Sequence, residues 1–174
     1  AIDSYNQAIN IKPNYAQSNW NKSLLKLLIG EYLEGWKLYE WRWKKKPHID
    51  TLRSYQQPLW LGDKSIVDKT LLIYPEQGIG DYIQFMRYAS LVEQLGAKII
   101  LEVPSSLFKL CSTLKGESIL IGNGKPLPSF DYHCPIMSLP LALKTISSQI
   151  CLPSLFIISI LSWPEISMTD IPPP

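Results

Sequence analysis

Thr70-Leu71-Leu72-Ile73-Tyr74-Pro75-Glu76-Gln77-Gly78-Ile79-Gly80-Asp81 is the stretch that decides the fold. Its first five residues form a continuous run suited to a strand buried on both faces of a parallel sheet. Pro75 to Gly80 then reads as a turn. From Asp81 to Leu95 the period changes to that of a helix, with Ile83, Met86 and Leu91 among its apolar residues and Gly96 just past its end. The alternation continues downstream. Lys98 to Val103 reads as a strand, Pro104-Ser105-Ser106 opens a helix to Leu114, and Ser118 to Ile121 and Phe130 to Cys134 read as further strands. A last helix begins near Ser138, with Pro140 in its first turn. Strand–helix–strand–helix–strand at these lengths predicts an α/β domain over 70–145, a doubly wound, Rossmann-like parallel sheet with right-handed crossovers.

In such a sheet ligands sit beyond the carboxyl ends of the strands. The first such place is Glu76 to Asp81. Gly78 and Gly80 match the start of a dinucleotide fingerprint, but Ile83 stands where a third glycine belongs, and Glu102 precedes Val103 and Pro104 instead of closing the second strand. A carboxylate at the helix start would also compete with a phosphate for the same N–H groups. The pattern therefore argues against a nicotinamide cofactor, and no other cofactor or metal is implied. Asp81 has two readings that hold together. It can cap the helix for ~1 kcal/mol, and it can serve as a carboxylate placed by a glycine turn to take a proton from an attacking hydroxyl.

Upstream, the residues show a repeat. Ala1, Tyr5, Ala8 and Pro13 recur as Gly35, Tyr39, Arg42 and Pro47, an interval of 34 residues. A small residue, an aromatic four later and a closing proline is the second-helix pattern of the tetratricopeptide repeat, which residues 1–47 resemble over about one and a half units. Between the prolines, Ala16 to Ile29 reads as one helix, with Trp20, Leu24, Leu27 and Leu28 near the 3.6 period, and Glu31 to Lys45 as its partner. The family's first-helix positions fall on Asn19, Lys22-Ser23 and Lys26. Arg42 to Lys46 reads as cations complementing the helix end before Pro47, and Trp36, Trp41 and Trp43 as residues buried against the α/β domain. His48 to Lys69 reads as a linker with an anchored Trp60.

Of 174 residues, 46% are hydrophobic and 18% charged, and the net charge is +2. That composition supports a core and lacks the basic excess of a nucleic-acid binder. Three cysteines, Cys111, Cys134 and Cys151, make no disulfide framework and suit a reducing, cytoplasmic setting. Ile150 to Trp163 is interrupted by Pro153 and falls short of the roughly 20 apolar residues of a membrane span.

The run Pro75 to Tyr88 resembles the first strand–loop–helix of bacterial tetratricopeptide-linked glycosyltransferase-like proteins, relatives of the heptosyltransferases with the two-lobed GT-B fold. Pro58-Leu59-Trp60-Leu61-Gly62, Gly96-Ala97, and Pro128 to Pro135 leading to Ser138-Leu139-Pro140 add to the resemblance. It implies transfer of a sugar from a nucleotide-sugar donor to a protein or glycan acceptor. Residues 70–145 would be the acceptor half, Asp81 the catalytic base, and Gln77, Gly78, Gly80, Gln84 and His133 candidate substrate contacts. The donor half is expected to be missing. Residues 146–174 follow neither the strand–helix alternation nor the family and read as a truncated or frameshifted tail. The chain, which begins mid-pattern at Ala1, is expected to be a fragment that is inactive alone. The alternative is a non-catalytic interaction module on a degenerate α/β scaffold.

Overall fold

A computed structural model describes residues 1–46, 48–114 and 116–145. The atypical tail, 146–174, lies outside the described residues, as does Pro47. The chain opens with three helices, α1 (Ile2–Ile11), α2 (Ala16–Leu28) and α3 (Tyr32–Tyr39). α3 tightens into a 3-10 turn, Glu40–Lys44, and a second such turn spans His48–Thr51. Gly35 on α3 lies directly against Leu27 of α2, where a Cβ would come within 2.8 Å of the leucine Cγ. Only a residue without a side chain lets the two helices meet this closely.

The most deeply buried residues of α2 are polar. Ser18, Asn19, Ser23 and Lys26 are buried, while Leu24 and Leu28 are 41% and 55% exposed. Of the stripe expected through Trp20, Leu24, Leu27 and Leu28, Trp20 and Leu27 pack against the core, while Leu24 and Leu28 turn outward. Burial of these polar groups is tolerated where they find local partners. Asn19 Nδ2 donates to the carbonyls of Pro13 and Tyr15, Ser23 Oγ donates to the Trp20 carbonyl, and Lys26 pairs with Glu31 and Glu34.

Beyond them, β1 (Thr70–Tyr74), β2 (Lys98–Val103), β3 (Ile119–Gly122) and β4 (Tyr132–Pro135) form one parallel sheet in the order β3-β2-β1-β4. Leu72 pairs with Ile100 on one side and His133 on the other. The α/β class expected from the strand–helix alternation is therefore present, built on four parallel strands. The helix expected over 81–95 divides into α4 (Ile79–Phe85) and α5 (Tyr88–Glu93), and a 3-10 bond from Ala89 N–H to the Met86 carbonyl tightens the joint. The bend turns both Phe85 and Tyr88 inward, with Phe85 edge-on to Trp36 at 5.8 Å. A 3-10 turn and α6 (Phe108–Cys111) follow β2, and another 3-10 turn and α7 (Leu139–Ala142) follow β4.

The strands' alternation divides the core. Leu71, Ile73, Ile99, Leu101 and Val103 face α3 to α7, in a cluster that includes Trp36 and Tyr39. Leu72, Tyr74 and Ile100 face the other way, where Tyr55, Leu127 and Phe130 from irregular segments cover them. The segment 48–69 packs closely on the sheet. Trp60 is 2% exposed and donates its indole N–H to the Lys64 carbonyl, and Leu59 bridges alongside His133. No helix of the described residues is long and apolar enough to cross a membrane.

Candidate functional site

In the order β3-β2-β1-β4 the chain steps outward to β3 on one side of β1 and returns to β4 on the other. The switch falls between β1 and β4, beyond Tyr74 and Pro135, the place where open α/β sheets take their ligands. Two turns meet there, Pro75–Gly78 after β1 and Ile136–Ser138 after β4. A third element enters from the helical segment. Arg42, read from the sequence as one of a run of helix-end cations, is fully buried at this point.

All five guanidinium N–H groups find acceptors. Nε donates to Glu76 Oε2 at 2.8 Å and Nη2 to Glu76 Oε1 at 3.0 Å, the two-pronged geometry of a strong Arg–carboxylate pair. Nη2 also donates to Ser138 Oγ at 2.8 Å, and Nη1 donates to Glu40 Oε1 and the Tyr39 carbonyl. Ser138 Oγ in turn donates to Glu40 Oε1 at 2.9 Å, and Met137 N–H to Glu76 Oε1 at 2.9 Å. Burial lifts the Glu76 carboxyl above the ordinary carboxylate range, while the guanidinium opposes that lift. Burial pulls Arg42 down, and Glu76 and Glu40 more than reverse it.

This cluster fixes the start of the turn that carries Asp81. Gln77 donates through Nε2 to Tyr39 Oη at 3.1 Å, and Tyr39 donates on to Met137 Sδ. Burial pushes the Tyr39 phenol up to about 12. Past Gln77 the chain emerges. Gly78, Ile79 and Gly80 are exposed, and a Cβ on Gly80 would meet nothing within 4 Å. Asp81, third residue of α4, reaches back to accept the Gly78 N–H at 3.2 Å through Oδ2. That is one half of a capping box, and glycine has no side chain to return the bond. Asp81 is half-buried, and its carboxyl is held above the usual range by burial, with the Gly78 N–H pulling the other way. Gln84 lies half-buried one turn further along α4. The arrangement presents a carboxylate of raised proton affinity beneath an open glycine turn.

Gln77, Gly78, Gly80, Asp81 and Gln84 thus share one turn and helix start. His133 stands apart from them. It is the second residue of β4, buried on the opposite face of the sheet between Tyr55 and Tyr74, with ring centroids at 4.9 and 5.7 Å. Its Nδ1 has no hydrogen-bond partner among the described residues, and burial lowers its proton affinity. Asp131 binds the Thr70 N–H at 2.8 Å at the amino ends of β1 and β4, far along the strand from Asp81. Glu102, the acid near the end of β2, is paired with Arg53 and 4% exposed at its side chain.

Sequence reasoning does not single out Arg42, Glu40 or Ser138 for this cluster. The signal available is Arg42 standing where the repeat pattern expects a small residue. The described cavities lie away from Asp81. One, of about 460 Å³, opens beyond β3, and another, of about 550 Å³, lies between residues 60–67 and 142–144. Among the described residues no cluster of His, Cys, Asp and Glu could hold a metal ion. Compared with protein-family models, with curated proteins and with solved structures, the chain matches none.

Proposed function

We propose that residues 70–145 form the acceptor-side half of a bacterial glycosyltransferase-like protein, and that the helices before them are tetratricopeptide-type repeats that dock a protein or glycan acceptor. In this reading the sheet is the first, Rossmann-like lobe of a GT-B pair, and the setting is the cytoplasm. The observation that supports it best is the exposed Gly78-Ile79-Gly80 turn over the half-buried Asp81 carboxylate at the carboxyl end of β1. An acceptor hydroxyl coming over Gly80 would give its proton to Asp81. Its oxygen would then bond to the sugar carbon of a donor on a second lobe, and the nucleotide diphosphate would leave with the old bond's electrons. In this reading the described residues supply the acceptor side, and the donor is held by the other lobe of the pair.

The test is an array of oligosaccharides and glycopeptides probed with the full chain, followed by NMR mapping of any hit. Binding that shifts Gly78, Gly80 and Gln84, and that Gly80→Val weakens by about tenfold or more through loss of close approach, supports the reading. An array that stays silent, or a hit that Gly80→Val leaves unaffected, removes it. A docking module without chemistry is the second reading. Ile11, Leu28 and Leu33 favour it, since they are 86%, 55% and 58% exposed on the helical segment. Its mark would be a protein ligand lost on Leu28→Ser and Leu33→Ser but retained on Gly80→Val.

A further inference from the structure

The notch beyond β3 belongs to none of the machinery around Asp81. Its volume of about 460 Å³ falls in the ordinary range of small-molecule sites. Ser105 and Phe108, the strand residues Leu120 to Gly122, and Lys125 and Pro126 line it, with Leu120 packed toward the helical face of the sheet and Ile121 toward the other. β3 is the least covered strand of the sheet. Ile119 is 51% exposed and Leu120 and Ile121 are half-buried, whereas Leu71 to Tyr74 on β1 are buried. Phe108 is 42% exposed beside them.

The polar wall is held in place. Asn123 N–H donates to the Val103 carbonyl at 2.8 Å and Lys125 N–H to the Gly122 carbonyl at 3.0 Å. Gly124 N–H reaches Glu102 Oε1 at 3.4 Å. The turn so anchored folds the Lys125 stem back over the end of β3, where its Cγ lies 3.6 Å from the place of a Gly122 Cβ. Lys125 Nζ and Ser105 Oγ take no partner among the described residues. Glu102, the acid bound to this turn, already has Arg53 as its counter-ion, so the notch keeps a positive balance.

We propose that this notch binds a small molecule joining one aromatic ring to one anionic group, as in an aryl phosphate or aryl carboxylate. The ring lies against Phe108, Leu120 and Pro126, and the anion meets Lys125 Nζ and Ser105 Oγ. Neither half suffices alone, because an exposed lysine holds a bare anion weakly against water and salt, and the apolar lining is small.

The probe is phenyl phosphate, titrated into the isotope-labelled full chain and followed by NMR, with inorganic phosphate and benzyl alcohol titrated separately. Saturable shifts confined to Phe108, Gly122, Gly124 and Lys125, at least about tenfold tighter than with either control, support the proposal. Lys125→Met and Phe108→Ser should each weaken the probe about tenfold, and Lys125→Arg should retain it. Both positions are exposed, so the remaining spectrum reports an intact fold. If Lys125→Met nonetheless fails to fold, Lys125→Glu supplies the same comparison. Equal affinity for inorganic phosphate, equal affinity for benzyl alcohol, absence of saturation, or indifference to the loss of the Lys125 charge would each overturn it. None of these outcomes bears on acceptor binding at Gly80, which uses other residues.

Discussion

Removing Arg42 strands Glu76, whose carboxylate is 1% exposed and has no other cation against it among the described residues. Breaking a buried pair from one side costs about 3–5 kcal/mol. Arg42→Met should therefore lower stability by that order in urea melts. Arg42→Lys should recover only part, since an ammonium cannot grip both oxygens of Glu76 at once. Arg42→Met with Glu76→Leu should recover more than Arg42→Lys, since that buried pair is then gone from both sides. His133 makes a prediction in pH. Its proton affinity is lowered by burial, so the neutral form stabilises the fold above the unfolded value of about 6.5, and that contribution is lost as pH falls through the folded value. Unfolding free energy should fall on acidification below about pH 6.5. His133→Phe, which keeps a ring between Tyr55 and Tyr74, should flatten that slope, and an unchanged slope would place the proton uptake elsewhere. Asp81 works in the opposite sense. Its raised value means that ionisation opposes folding as pH rises through it, so Asp81→Asn should leave neutral-pH stability equal or higher.

The elements show how far pattern reading reaches. β1, β2 and the small-residue contact at Gly35 are legible, because a buried parallel strand and a close helix pair each leave a local mark. The division of α4 from α5 is not, because it follows from Phe85 meeting Trp36, 49 residues earlier in the chain. The exposure of Leu24 and Leu28 is hidden for a similar reason. Periodicity marks a stripe but cannot say which side the neighbours occupy, and here they lie over Trp20, Ser23 and Leu27 and leave Leu24 and Leu28 outside. At the candidate site, the Gly78–Asp81 turn is readable locally, whereas the Arg42–Glu76 pair joins residues from different elements. The segment 48–69 reads as a crossing and packs as a cover over the sheet. Its anchor is testable. Gly62 has a φ of +82°, and a Cβ there would lie 2.0 Å from the Ala142 carbonyl oxygen. Gly62→Ala should cost at least about 2 kcal/mol by strain and collision together, measured by thermal melting, and Asp63→Ala next to it should cost little.

Across the molecule, Trp36 and Tyr39 of the helical segment sit in the same core as Leu71, Ile73 and Leu101 of the sheet. The two parts should unfold together. The helical far-ultraviolet circular dichroism signal and the amide signals of β1 should give coincident urea transitions. Separate midpoints would show that the helices form their own unit. The shared unit also bears on ancestry. Glu40 and Arg42, Glu76, and Ser138 come from three distant parts of the chain, yet each leaves an unmet charge or donor if one of the others is replaced. Drift at any of the four is constrained by the rest. In kindred genes they should be inherited as a set, with arginine and the acid at 76 lost together, while Lys125 and Gly80 are free to diverge as ligands change.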